Sequence, residues 1–138
     1  MKTWILVVSV VLILACGAAG CVQPTQEEAQ TQLCQDLGEL GVALENYDNL
    51  TANSTVEDIR DAEDQVTAAM EDVRASADQL ADVQVDELDS AYNDLENAVQ
   101  SLPDDMTAEE ALQTISPELQ AVRSERQNLL GELNCPQQ

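Results

Sequence analysis

This chain of 138 residues contains no histidine and no phenylalanine, and it has only two tyrosines and one tryptophan. Without histidine it cannot assemble a Ser-His or Cys-His nucleophilic pair, and the Glu-x-x-His ligand pattern of di-iron bundles is excluded as well. Paired carboxylates are plentiful, but a general acid needs a carboxyl group in an apolar pocket, and these pairs lie in polar stretches. The composition therefore predicts that the protein is not an enzyme.

Positive charge is also scarce. Five lysine and arginine residues are outnumbered by 27 aspartate and glutamate residues, and the formal net charge is −22. Proteins bind nucleic acids and anionic lipid headgroups through clustered Lys and Arg, so this balance argues against both as partners. An acidic surface could attract cations or a basic partner, although a solvated helix surface explains the charge more simply.

Ligand sets for metals and cofactors are missing too. No EF-hand loop of the DxDxDG form is present, and sites for soft metals lack histidine and free thiolate. Asp104 and Asp105, together with Glu109 and Glu110, could attract Ca²⁺ weakly at a turn, but diffuse attraction of counter-ions is the simpler interpretation. We expect neither a metal site nor a cofactor.

The longest apolar stretch lies near the N-terminus, at residues 5–15, and follows the single lysine, Lys2. A membrane-spanning helix needs roughly 20 apolar residues, so this stretch is short for one. A positively charged start, a short apolar core and small residues after it are the three parts of a secretory signal. The sequence therefore predicts an exported protein.

Two cysteines follow this stretch. The residues AAGC that end at Cys21 resemble the lipobox of bacterial lipoproteins, where the signal peptide is cut before a cysteine that becomes diacylated. The residues ILAC that end at Cys16 resemble it too, but they have a bulky leucine where a small residue is commoner. Modification of Cys21 leaves Cys34 and Cys135 as an even pair in an oxidising compartment, whereas modification of Cys16 leaves an odd thiol. We therefore prefer Cys21.

The resemblance implies a signal peptide over residues 1–20 and a lipid that anchors the exported protein to the cell membrane. Ordinary cleavage near Ala19, with free secretion, is the alternative. We interpret residues 21–30 as a flexible tether and residues 31–136 as one acidic helical domain. The chain is similar in style to small acidic envelope lipoproteins of high-GC Gram-positive bacteria, and this similarity brings no functional residues with it.

Four segments of the domain carry apolar residues at alternating spacings of three and four, which is typical of helices with one buried face. The stripes are Leu33, Leu37, Leu40, Leu44 and Tyr47; Val56, Ile59, Val66, Met70, Val73, Ala77 and Leu80; Val85, Leu88, Tyr92, Leu95, Val99 and Leu102; and Leu112, Ile115, Leu119, Val122, Leu129 and Leu133. We predict an all-α fold, an antiparallel up-down four-helix bundle with a short extra helix before the last one.

Local signals place the helix boundaries. Ser54 or Thr55 can cap the second helix. Thr107, with a glutamate three residues later, forms a capping box for a short helix that ends near Ile115. Pro117 follows a serine and is typical of a first helical turn, so it predicts that the last helix begins there.

The boundary between the second and third stripes contains no glycine or proline. The apolar series slips by one residue between Leu80 and Val85, which indicates either a turn or one continuous helix over residues 55–102 with a skip. We prefer the turn, because a single long helix with two short partners would leave each half with too few neighbours to bury its stripe.

An up-down bundle brings the start of the first helix and the end of the last helix to the same end. Cys34 and Cys135 lie near those two points, so we predict a structural disulfide between them. A redox-active pair would need a CxxC spacing or a nearby basic group, and the sequence has neither around these cysteines.

Glu63 and Arg126 interrupt the stripes. They lie at similar heights in the predicted bundle, so we predict a buried ion pair between them across the core. In the alternative, Ala62 takes the core position and both charges turn outward. The helix that contains Gly38 and Gly41 should allow close approach of a neighbouring helix or, as a second option, form a ligand groove.

The two tyrosines, Tyr47 and Tyr92, occupy stripe positions. Their rings should pack in the core and their hydroxyl groups should lie at its edge.

Two classes of function remain. We expect an interaction or structural module of the cell envelope with an envelope protein as partner, which requires an exposed apolar or Gln/Asn-rich patch. The alternative is a module that binds a small ligand or a cation in a pocket between helices, near the two glycines of the first helix or near Glu63 and Arg126.

Overall fold

The computed structural model describes residues 24–136. Cys16, Cys21 and the predicted signal peptide lie outside the described residues. The regular structure of residues 24–136 is entirely helical, as predicted, and comprises α1 (Gln26–Asp48), α2 (Val56–Ala77), α3 (Asp86–Gln100) and α4 (Ala108–Glu132). No helix in this part of the chain is both long and apolar enough to cross a membrane.

Each helix packs beside the next one in the chain, and α4 returns to pack along α1. The pairs α1/α2 and α3/α4 make the most extensive contacts. This arrangement is the predicted up-down four-helix bundle. It places the start of α1 and the end of α4 at the same end, which we call the clasp end.

The core between the helices is aliphatic. Its largest fully buried side chains are Leu33, Leu37, Leu40, Leu44, Ile59, Val66, Met70, Val73, Leu88, Leu95, Val99 and Ile115. All of them belong to the predicted stripes. Full burial of a side chain of this size stabilises a fold by roughly 1.5–3 kcal/mol, so the stripes are the main source of stability.

Three helices begin with a capping box, in which a threonine side chain and the acidic side chain three residues later bond each other's backbone N–H groups. The boxes are formed by Thr25 with Glu28, by Thr55 with Asp58 and by Thr107 with Glu110. The caps at Thr55 and Thr107 confirm the prediction. Helix α3 begins after Val85 without a hydrogen bond from a capping side chain.

The cap at Thr25 corrects the predicted length of the tether. Helix α1 begins at Gln26, so residues 26–30 are helical and do not belong to a flexible segment. Ala29 is only 1% exposed, and its burial against the core, together with the capping box, favours the helix over an extended chain.

Helix α4 continues through Pro117, so the predicted short helix ending near Ile115 and the predicted new start at Pro117 are wrong. A proline inside a helix removes one backbone hydrogen bond and costs about 3 kcal/mol. Ile115 and Leu119, on either side of it, are both buried. Burial of one continuous stripe outweighs the loss of a single backbone hydrogen bond. This burial depends on the other helices, so the residues around the proline alone cannot predict it.

A turn separates α2 from α3, as predicted, and excludes one helix over residues 55–102. Helix α2 ends at Ala77 and α3 begins at Asp86. Leu80 lies in this turn with its side chain buried. The slip in the apolar series therefore marks the change of helix.

Cys34 of α1 and Cys135, just beyond α4, form the predicted disulfide at the clasp end, with their Cα atoms 5.6 Å apart. Gln30 joins the same two parts of the chain, because its Nε2 donates a hydrogen bond of 2.7 Å to the carbonyl oxygen of Leu133. The cross-link joins residues 101 positions apart. In the chain-entropy model a loop of about 100 residues stabilises the fold by roughly 3–5 kcal/mol.

The double variant Cys34→Ser, Cys135→Ser should therefore lower the free energy of unfolding by about 3–5 kcal/mol, because its unfolded chain regains that entropy. Urea denaturation followed by circular dichroism measures the change, and the reduced wild-type protein is the control. Equal stability of the variant and the oxidised protein would contradict the stabilising role of the disulfide.

Candidate functional site

Arg126 extends from α4 onto the surface of α1. Its Nε donates a hydrogen bond to the carbonyl oxygen of Leu37, and its guanidinium group lies directly over Gly41. A Cβ atom at Gly41 would lie 2.5 Å from Cζ of Arg126, so only glycine leaves room for the guanidinium there. The predicted close approach at Gly41 is thus made by an arginine side chain and not by the backbone of a neighbouring helix.

The other three arginines of the domain each pair with a carboxylate. The ion pairs are Arg60 with Asp104 at 2.8 Å, Arg74 with Asp89 at 2.7 Å and Arg123 with Asp48 at 2.7 Å. Within residues 24–136, Arg126 has no carboxylate oxygen within 4.0 Å. Arg126 is therefore the one arginine of the described chain without an ion pair.

The predicted ion pair between Glu63 and Arg126 is wrong. Glu63 extends from α2 toward α3, where it accepts a hydrogen bond from the Tyr92 hydroxyl at 3.3 Å, whereas Arg126 extends from α4 toward α1. The two charges occupy different helix interfaces. Their heights along the bundle could be counted from the sequence, but the directions of their side chains could not.

Glu63 lies in a small polar cluster inside the bundle. It is 7% exposed, beside the buried Ala62. Its Oε1 also accepts a hydrogen bond from the Thr67 hydroxyl at 2.9 Å, and the Thr67 and Tyr92 hydroxyl groups are 2.7 Å apart. Burial raises the pKa of Glu63, and these hydrogen bonds partly oppose the rise. The alternative in which the charge of Glu63 turns outward is therefore also wrong.

Both tyrosine rings are buried, as predicted, but their hydroxyl groups do not lie at the edge of the core. The hydroxyl of Tyr92 belongs to the cluster with Glu63 and Thr67. Within the described residues, the buried hydroxyl oxygen of Tyr47 has no hydrogen-bond partner. Burial, followed by the charge of Glu63, raises the pKa of Tyr47.

A second buried polar contact was not predicted. Asp36 of α1 is 5% exposed and accepts hydrogen bonds from the Ser76 hydroxyl of α2 and from Nε2 of Gln32. Asp36 directly precedes the stripe residue Leu37, and this position weakly indicates that the Asp36 side chain lies near the core. Its partner could not be predicted from local signals, because Ser76 is 40 positions away.

An open groove of about 450 Å³ lies over Arg126, between α1 and the C-terminal part of α4. Gly38, Gly41 and Glu45 line it along α1, together with Val42. Val42 is 64% exposed and is the only large apolar side chain of residues 24–136 that is mostly exposed. Leu130 and the disulfide border the groove on the side of the clasp end.

The groove contains one cation, because an arginine remains protonated in proteins. Burial lowers the pKa of Arg126, and the charge of Glu45 partly opposes this effect. Glu45 lies beyond ion-pair distance of Arg126 in the structure. A guanidinium group can donate two parallel hydrogen bonds to a carboxylate, so the groove is suited to binding an anion.

No group of three or more potential metal ligands converges within residues 24–136. The acidic turn before α4 was the candidate for weak Ca²⁺ binding. Two of its carboxylates have other partners, because Asp104 pairs with Arg60 and Glu110 belongs to the capping box of α4.

Comparison of the chain with protein-family models, with curated proteins and with solved structures finds no match.

Replacing Glu63 tests the polar cluster. Because the pKa of Glu63 is raised in the folded state, protonation favours folding. Its stabilising contribution is fully present below the ordinary glutamate pKa of about 4.3 and is lost as the pH rises through the raised pKa. Glu63→Gln carries no charge at any pH and should stabilise the fold at pH 7 by on the order of 1 kcal/mol, with little gain at low pH.

Urea denaturation across this pH range measures the difference between the variant and the wild-type protein. Glu71→Gln removes the same charge from an exposed position of α2 and is the matched control. A variant that is less stable than the wild-type protein at pH 7 would show that the charged form of Glu63 is the one that the fold stabilises.

Gly41 and Gly131 have opposite surroundings, so replacing each of them by alanine tests the position of Arg126. At Gly131 nothing lies within 4 Å of an added Cβ, so Gly131→Ala should raise the free energy of unfolding by up to about 1 kcal/mol through helix propensity. Gly41→Ala should give a smaller gain or none, because Arg126 must move and loses its hydrogen bond to Leu37, about 0.5–1.5 kcal/mol. Equal gains in thermal denaturation would contradict the contact between Arg126 and Gly41.

Proposed function

We propose that the chain is an exported protein held at the cell membrane by a lipid on Cys21, with Cys16 as the alternative carrier. In this proposal the helical bundle acts without catalysis, as an interaction or structural module of the cell envelope. Free secretion after ordinary cleavage is the alternative location. Support comes from the disulfide, from the position of Cys21 and from the residues that the chain lacks.

The disulfide between Cys34 and Cys135 is the observation that carries the proposal. Disulfides form and persist in oxidising compartments, which an exported protein reaches and a cytoplasmic one does not. The pairing of these two cysteines leaves Cys21 as the thiol available for lipid once the signal peptide is removed.

The start of α1 supports an anchor close to the domain. Gln26 lies five positions after Cys21, and a fully extended chain between them spans at most about 18 Å. A lipid on Cys21 would therefore hold the clasp end near the membrane and leave the opposite end of the bundle toward the exterior. The formal net charge of −22 opposes adsorption of the domain itself onto anionic headgroups.

The proposal of a non-catalytic module is supported by the absence of histidine from the sequence and by the engagement of Cys34 and Cys135 in a disulfide. Protein partners would be envelope proteins, because the anchor confines the domain to that compartment. Basic surfaces are favoured by the charge of this chain.

A module that binds a small ligand is the second candidate function. The groove over Arg126 favours it, because this cation has no carboxylate partner within the described residues and stands over Gly41. An exposed apolar patch, expected for docking of a protein, is limited to the isolated side chain of Val42 in residues 24–136.

Expression in a bacterium that processes lipoproteins tests the anchor. Intact mass spectrometry should show a diacylglyceryl increment on a chain that begins at Cys21, and the protein should fractionate with membranes. Cys21→Ser should abolish both results, and the matched variant Cys16→Ser should change neither. Loss of the lipid only in Cys16→Ser would assign the anchor to Cys16, and an unmodified wild-type chain in the medium would replace the anchor by secretion.

A further inference from the structure

Arg126 has hydrogen-bonding capacity that the described chain does not use. Its Nε donates to Leu37, but its Nη1 and Nη2 atoms donate to no acceptor in residues 24–136. Neither Nη atom is among the buried side-chain atoms without a partner, so both are at least partly exposed to solvent, and Arg126 lines the groove. Two Nη groups that are free and accessible can bind one carboxylate through a pair of hydrogen bonds.

Arg126 is unusual among the described arginines because it has no carboxylate partner in residues 24–136. The chain has 27 acidic residues, and its other described arginines all pair with one of them. Arg126 is half-buried, and burial disfavours its charge, as the lowered pKa shows. A partly desolvated cation forms stronger hydrogen bonds than an exposed one, so an anion that reaches the groove gains more here than at the protein surface.

Two apolar side chains line the groove beside the cation, in a lining that also contains the polar residues Glu45 and Gln127. Val42 on α1 is mostly exposed, Leu130 on α4 is half-buried, and both line the groove with the disulfide at its end. Covering these groups removes apolar surface from water. A ligand with an apolar group attached to its carboxylate therefore matches both parts of the groove.

The charge and the size of the groove restrict the class of ligand further. The volume of about 450 Å³ lies in the lower part of the range of about 300–1,000 Å³ that is common for small-molecule pockets. Glu45 lines the same groove, and the chain has a formal net charge of −22. Repulsion from this field grows with each negative charge of the ligand, which disfavours phosphates and dicarboxylates and leaves a single carboxylate.

We propose that the groove between α1 and α4 binds a small apolar monocarboxylic acid, whose carboxylate is held by the Nη groups of Arg126 over Gly41 and whose apolar part lies against Val42 and Leu130. This inference rests on the second candidate function and names its class of ligand. Glu45, which lines the groove beyond ion-pair distance of Arg126, acts as a competitor of the ligand.

Titration with hexanoate tests the proposal. The full chain is used as the host produces it. A secreted protein is titrated in buffer, and an anchored protein is titrated in nanodiscs with empty nanodiscs as the blank. The result therefore does not depend on the anchor. NMR should show saturable shifts of the backbone amide signals of Val42 and Leu130, which every variant retains, and of the Arg126 Nε–Hε signal in the wild-type protein, with a dissociation constant on the order of 1 mM. Hexanamide, which is neutral and of similar shape, and the dicarboxylate adipate should both bind more weakly.

Variants that are expected to change the affinity in opposite directions make the test specific. Arg126→Gln should weaken hexanoate binding about tenfold, and Gly41→Ala, which displaces the guanidinium, should weaken it as well. Glu45→Gln should strengthen it about two- to fivefold, because it removes a competing and repelling carboxylate. Glu71→Gln removes one negative charge from an exposed position of α2 that does not line the groove, and it should leave hexanoate binding unchanged.

Equal binding of hexanoate and hexanamide, or affinities that neither Arg126→Gln nor Glu45→Gln alters, would overturn the proposal. Tighter binding of an acetylated peptide that ends in a leucine carboxylate would assign the groove to the C-terminus of a polypeptide and would overturn the small-molecule ligand. If the lipid anchor is absent while these affinities follow the expected order, the proposed location fails and the ligand site remains.

Discussion

Burial of four aliphatic stripes in one core is the constraint on which the rest of this structure depends. Each helix has one apolar face and an acidic remainder, so none of them is stable alone in water. Short connections between the helices force neighbours to run antiparallel, and four such helices bring the two ends of the domain together. Both the disulfide between Cys34 and Cys135 and the groove between α1 and α4 are consequences of this return.

Polar groups refine the packing that the apolar stripes create. Asp36 contacts Ser76 between α1 and α2, and Glu63 forms its cluster with Thr67 and Tyr92 between α2 and α3. Hydrogen bonds of this kind add little net stability, but a shift of one helix along its neighbour would leave each buried group without a partner. These contacts therefore help to fix the register of the helices.

The four arginines divide into two groups by what surrounds them. Arg60, Arg74 and Arg123 form ion pairs that connect different parts of the chain, and each contributes little to stability because water screens the partly exposed groups. They neutralise only a small part of the acidic charge of the chain. Arg126 instead lies over a glycine, with its Nη groups open to a groove, and this difference in surroundings is the basis for treating it as a binding residue.

The sequence by itself determined the helices, the up-down order and the disulfide, because apolar period, capping threonines and cysteine positions act locally or through chain connectivity. It also located the turn that contains Leu80 through a slip in that period. Local signals misplaced the starts of α1 and α4, where burial of Ala29 and of the stripe around Pro117 extended each helix. The partners of Glu63 and Arg126 were decided only by the tertiary structure, because a change of one residue in helix phase turns a side chain by about 100° toward another neighbour.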